Sequence, residues 1–176
     1  MKNNRIAEKK SRIQLIVDKK GEEEIKDFLN NNRILHCKKN FHSTIYSSKI
    51  FSLFPKEETL RAIREILPII LEPCNYHLRI FGHKDLLALR YENLSVRKIG
   101  EIINSEGSTE VTPKHKESTN LGRLYIPERS SAINGNKKDY SHNLHITFAE
   151  DFNRNGLEKL TKFHHPITFD HFLWIA

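Results

Sequence analysis

Phe41-His42-Ser43-Thr44-Ile45 and Leu144-His145-Ile146-Thr147-Phe148 share one grammar: a histidine, one residue, a threonine, and apolar residues on either side. Alternate side chains of a strand share a face. As strands, the two segments therefore turn His42 with Thr44, and His145 with Thr147, to one side. Phe41 and Ile45 point to the other side of the first strand, and Leu144, Ile146 and Phe148 to the other side of the second. The polar faces suit a cleft and the apolar faces a core. The second segment alternates cleanly, whereas Ser43 interrupts the pattern in the first. One such triplet arises readily by chance in a chain with ten histidines. Two, in β-like contexts and in corresponding parts of two halves, point to a paired site.

Outward from these strands, helices and antiparallel-type strands interleave. Arg12 to Val17 reads as a first strand, and Gly21-Glu22-Glu23-Glu24 opens a helix whose acids sit where the helix dipole favours them. Ile25, Phe28 and Leu29 give that helix one buried face. Phe41 to Tyr46 is the next strand. Pro55 starts a second helix with a Leu60, Ile63, Leu67 stripe, which Pro68 stops. Tyr76 to Phe81 and Leu86 to Tyr91 read as strands joined by a turn at 82–85. Asn93 or Ser95 caps a third helix with Val96, Ile99, Ile102 and Ile103 inward.

Residues 105–141 are rich in Gly, Pro, Asn and Lys, and only Arg123 to Ile126 looks like a strand. A loop of this length reads as an insertion or lid bordering the cleft. Leu144 to Phe148 follows as a strand, Asn155 to Phe163 as a short helix, and Ile167 to Ile175 as a final strand opened by Pro166. The whole chain, 1–176, reads as one α+β domain with residues 1–11 frayed. No Gly-rich phosphate loop follows the first strand, which argues against a doubly wound dinucleotide fold.

Twenty-nine Lys and Arg against 22 acids give a formal charge of +7, which suits a polyanionic partner such as a nucleotide, RNA or an anionic membrane, although many Lys- and Asn-rich proteins are basic with no nucleic-acid role. Cys37 and Cys74 have no disulfide-framework or zinc spacing and read as reduced thiols of a cytoplasmic protein. Neither a signal peptide nor a membrane span is expected, because the Ile13–Val17 apolar run is short.

Breaking a phosphodiester takes a base to remove a proton from the attacking hydroxyl and an acid to protonate the leaving oxygen. Histidine, with an ordinary pKa of about 6.5, does either near neutrality. A pair, one neutral and one protonated, can act from opposite sides of phosphorus. Thr44 and Thr147, two residues along the same faces, can each donate a hydrogen bond to a phosphoryl oxygen. Which histidine is acid and which is base stays open in the sequence.

The two H-x-T segments resemble the signature of the 2H phosphoesterase superfamily, which includes the RNA 2′,3′-cyclic phosphodiesterases related to the bacterial 2′–5′ RNA ligase. The resemblance covers about residues 12–175, including NYHLRIFGHKDLLALRYENLSVRKIGEII between the motifs and PITFDHFLWIA at the end. It implies a bilobal fold of two antiparallel sheets related by a pseudo-twofold, with helices on the outer faces. It also implies a cleft lined by His42 and His145, and catalysis with no cofactor or metal. HSTIYSSK, LLALRYEN and HITFAED look most like phage-type members, which include anti-CBASS phosphodiesterases that degrade cyclic oligonucleotide immune signals. Leu144 departs from the family pattern, where many members have Pro before the second histidine. The implied activity is cleavage of a 3′–5′ or 2′–5′ bond in a small or cyclic nucleotide. RNA-end processing, by a 2′,3′-cyclic phosphodiesterase or 2′–5′ RNA ligase, and a non-catalytic nucleotide-binding module are the alternatives.

Further candidates surround this pair. Tyr46 shares the face of His42 and Thr44 by period two. Lys49, Arg79 and Arg90 are candidates for phosphate contact, with a solvated outer face as the competing reading for the two arginines. Tyr125, Tyr140 and Trp174 are possible base-stacking platforms, with core or rim packing the alternative for Trp174. Lys137 and Lys138 beside Tyr140 suit a lid over an anion, against a plain polar loop. His142 lies close enough in sequence to tune His145, against an ordinary loop residue as the default reading. His164, His165 and His171 lack a ligand spacing, so no metal site is expected.

Overall fold

Residues 12–17 alternate, and the alternation decides their two faces: Ile13, Leu15 and Val17 are buried, while Arg12, Gln14 and Ile16 take the opposite side. The computed structural model describes residues 11–48, 57–82, 84–106, 123–124 and 144–175. Among them the strands are β1 (Ser11–Val17), β2 (His42–Ser48), β3 (Ile69–Leu71), β4 (Tyr76–Phe81), β5 (Leu86–Tyr91), β6 (Arg123–Leu124), β7 (His145–Ala149) and β8 (Ile167–Ile175). They form two antiparallel sheets. Sheet A runs β3-β8-β1-β2-β6, and sheet B runs β4-β5-β7. Each sheet holds one H-x-T strand.

Helix α1 (Lys19–Asn31) begins at Asp18, whose carboxylate accepts from the Gly21 amide at 2.7 Å. Gly21 is required by close packing, since a Cβ there would come within 2.8 Å of Val17 Cγ1. Ile25, Phe28 and Leu29 are buried, and the Phe28 ring meets Phe148 and Phe163 edge-on, at 6.2 and 5.3 Å between centroids. Helix α2 (Glu57–Ile66) buries Ile63 and packs on α3 (Leu94–Glu106). Asn93 caps α3, its side-chain oxygen accepting from the amides of Ser95 and Val96. No helix among the described residues is long and apolar enough to cross a membrane.

The structure differs from the sequence reading in several places. Helix α2 ends at Ile66, just before Pro68 as expected, but the three residues beyond Pro68 form β3, which pairs with β8. The helix expected over 155–163 is a 3-10 helix over Arg154–Lys159, and Phe163 enters the core from the irregular segment after it. Arg123–Leu124 pairs with β2 at Tyr46 and Ser47. Most of the 105–141 segment, residues 1–10, Lys49 and Pro55 lie outside the described residues.

One core serves both sheets. Phe41, immediately before β2, meets Phe148 of β7 edge-on at 6.0 Å, and Phe148 meets Phe163 at 5.7 Å. The backbone joins the sheets as well. Cys37 bridges to Ala149, the Lys38 amide donates to the Phe148 carbonyl at 2.8 Å, and the Glu150 amide donates to the His36 carbonyl at 3.1 Å. The chain is thus paired to the end of β7 just before it enters β2, which holds the two motif strands side by side.

Candidate active site

Both motifs take the strand faces their spacing predicts. In β2, Ser43 and Ile45 are buried with the preceding Phe41, and His42 and Thr44 are half-buried on the opposite face. In β7, Ile146 and Phe148 are fully buried behind half-buried His145 and Thr147. Ser43 does not interrupt the alternation. It is fully buried, and its hydroxyl accepts from the Tyr91 hydroxyl of β5 at 2.7 Å. That bond crosses from one sheet to the other directly behind the motif face, and the burial of Tyr91 raises its phenol pKa above the ordinary range. A buried hydroxyl is costly without a partner, so each of these two side chains makes the other tolerable.

The two histidines come within electrostatic reach of one another. Burial is the largest cause holding His42 below the ordinary imidazole pKa, and the positive charges of Arg12, His145 and Lys38 push the same way. His42 thus favours its neutral, proton-accepting form. Lys38 forms an ion pair with Glu150, whose carboxyl it holds below the usual range.

Cross-strand register sets the neighbours, because directly paired residues share a face. In sheet A, Thr44 pairs with Gln14 and His42 with Ile16, and Ile16 pairs in turn with His171 of β8. His171 Nδ1 lies 2.6 Å from Asp170 Oδ1. In sheet B, His145 pairs with Arg90 and Arg90 with His77, while Thr147 pairs with Ala88 and Ala88 with Arg79. Arg79 and Arg90 thus stand on the same sheet face as His145, Arg79 exposed to solvent and Arg90 half-buried.

Other candidates fall elsewhere. A register shift opposite Ile13 and Gln14 sits between Thr44 and Tyr46, so strict alternation is interrupted before Tyr46, whose side chain is outside the described residues. Tyr125, Lys137, Lys138, Tyr140 and His142 are likewise outside them. Trp174 pairs with Ile13 and packs half-buried against the core, away from the motif face. His165 lies 3.8 Å from Glu24 and beside the Phe163 ring, apart from His171. Among the described residues no three His, Cys, Asp or Glu side chains are grouped to hold a metal. Cys37 and Cys74 are free and exposed.

A cavity of about 450 Å³ lies between α2 and β8, lined by Leu60, Arg64, Leu67, Phe172 and Trp174 among others. Neither motif histidine lines it. Sequence reasoning missed Arg12, Gln14, Lys38 and His77. Arg12 and Gln14 were within reach, because they are the polar half of the alternation in β1. Lys38 and His77 were not, because only the bridge to β7 and the β4–β5 register bring them in. No protein-family model matches the chain, and no curated protein matches it.

Proposed function

We propose that the chain is a phosphodiesterase that cuts a 3′–5′ or 2′–5′ bond in a small or cyclic oligonucleotide by general acid–base catalysis between His42 and His145. The observation that carries this reading is the pairing of two H-x-T strands, one from each sheet, with both histidines on the face opposite a common core and within electrostatic reach. The same pairing supports a 2H-type arrangement in which the sheets are lobes related by a pseudo-twofold. Rigid strands backed by packed aromatic rings hold such groups closely enough for proton transfer.

His42 is the base in this mechanism. Its lowered proton affinity keeps it neutral near neutral pH. It takes the proton of the free hydroxyl beside the phosphodiester, the 2′-hydroxyl at a 3′–5′ bond or the 3′-hydroxyl at a 2′–5′ bond, and that oxygen forms a bond to phosphorus. The bond from phosphorus to the 5′ oxygen breaks, and His145 gives its proton to that oxygen. The products are a 2′,3′-cyclic phosphate and a free 5′-hydroxyl. Thr44 and Thr147 donate hydrogen bonds to the non-bridging oxygens, and Arg12 adds positive charge where negative charge grows. Opening of the cyclic phosphate by water runs the proton transfers the other way.

A cyclic oligonucleotide immune signal is a substrate class consistent with this chemistry. The direct experiment offers the purified protein cyclic di- and trinucleotides, 2′–5′ oligoadenylate and an RNA 2′,3′-cyclic phosphate, with and without EDTA. Cleavage of at least one phosphodiester, undiminished by EDTA and lost in His42→Ala while binding survives, is the expected outcome. Turnover of none of them would sink the reading, and complete loss in EDTA that added metal restores would replace the mechanism. Binding without turnover would identify a nucleotide-binding module instead.

A further inference from the structure

We infer that His77, Arg79 and Arg90 form a second phosphate subsite beside His145, so that the preferred substrate carries another phosphate on the nucleoside that leaves. The inference rests on the phosphodiesterase reading and adds a substrate requirement to it.

The row begins at the motif. Arg90 is the direct cross-strand neighbour of His145, and His77 is the direct neighbour of Arg90 on the other side. Arg79, two residues along β4 from His77, shares its face. Strands lie about 4.8 Å apart, so this group is centred roughly 5–10 Å from His145. One nucleotide unit bridges that distance.

On sheet B the register sets Arg90 between His145 and His77, and Arg79 stands two residues along from His77 on the same face. The groups are close enough to feel one another: after burial, the charges of Arg90 and Arg79 lower the proton affinity of His77, and the Glu92 carboxylate opposes them. A phosphate lying among them meets this positive charge, and guanidinium groups bind phosphate oxygens in a bidentate manner.

The position also gives a direction. His145 protonates the departing 5′ oxygen, so the basic row next to it faces the leaving nucleoside. The extra phosphate is then the 3′-phosphate of that nucleoside.

The test compares adenylyl-(3′–5′)-adenosine with its 3′-phosphorylated and 5′-phosphorylated forms, in the wild type and in Arg79→Gln and His77→Ala. Wild-type kcat/KM should be about tenfold or more higher with the 3′-phosphate, as hydrogen bonds to a charged group imply. Arg79→Gln should reduce that ratio towards one, while Lys26→Ala on α1 should leave it intact. Equal wild-type rates with and without the 3′-phosphate, a preference for the 5′-phosphate, or a ratio unchanged in both variants would overturn the subsite. If none of the three is cut, the phosphodiesterase reading fails separately, and calorimetry then decides the subsite. The 3′-phosphorylated form must still bind the wild type more tightly than the unphosphorylated one, with Arg79→Gln abolishing the difference, and equal binding overturns the subsite.

Discussion

Each sheet runs a row of side chains outward from its motif histidine, and the two rows differ. In sheet A the row is His42, Ile16, His171, with His171 held by Asp170. Next to it stand Leu173 and Ile175, 47% and 40% exposed. In sheet B the row is His145, Arg90, His77, with Arg79 beside it. The same H-x-T strand thus has exposed apolar side chains set among Arg12, Gln14 and His171 on one side, and a basic wall on the other. A nucleotide presents these two chemistries, an apolar base face and a charged phosphate. The difference teaches that matching motifs need not have matching roles, because a strand motif supplies the groups while its sheet neighbours set their protonation and their ligand.

The largest effect should come from the histidines. His42→Ala and His145→Ala are each expected to lower turnover by about 10²-fold or more, the usual contribution of a positioned acid or base, with nucleotide binding largely retained by titration. Thr44→Ala and Thr147→Ala should cost less, about tenfold in kcat, because each removes one hydrogen bond to the phosphoryl group and leaves proton transfer intact. A threonine variant slower than both histidine variants would break the assignment of roles.

The link behind the two walls is the next test. Tyr91→Phe leaves the buried Ser43 hydroxyl without its donor, and Ser43→Ala leaves the Tyr91 hydroxyl without its acceptor. Each should lower stability by about 1–3 kcal/mol, read as a lower urea midpoint. The double variant should be no worse than the single ones. Strictly additive losses would mean that the two hydroxyls do not act as a pair.

The walls themselves separate by salt. Arg79→Gln should flatten the dependence of kcat/KM on sodium chloride for a multiply phosphorylated substrate. Leu173→Ser should raise KM a few-fold, as the loss of a small apolar contact does, and leave the salt slope unchanged. The opposite pattern would reverse the proposed division between the sheets.

Much of this arrangement was legible in the sequence. Alternation in β1 and β7 and the i, i+3, i+4 stripe of α1 report burial directly, since the period of each element matches one buried face. The motif residues were legible for the same reason. Ser43 misled because a hydroxyl in a core position looks like a break in the pattern until its partner is known, and that partner, Tyr91, comes from the other sheet. His77 was hidden for a related reason: its place beside Arg90 depends on register between strands, and composition carries no register. The short strand β3 escaped notice because three residues after a proline show too little of any period.

The pH dependence of kcat/KM tests the two-histidine claim most directly. His42 has a lowered proton affinity, so as pH falls it stays neutral to below the ordinary imidazole range, and as base it is lost only there. The wild-type profile should be bell-shaped, with an acid limb below about 6.5 and an alkaline limb where His145 loses its proton. His42→Ala should lose the acid limb along with most of its rate, and His145→Ala the alkaline limb. A His42→Ala protein that keeps both limbs at a near-normal rate would contradict the mechanism.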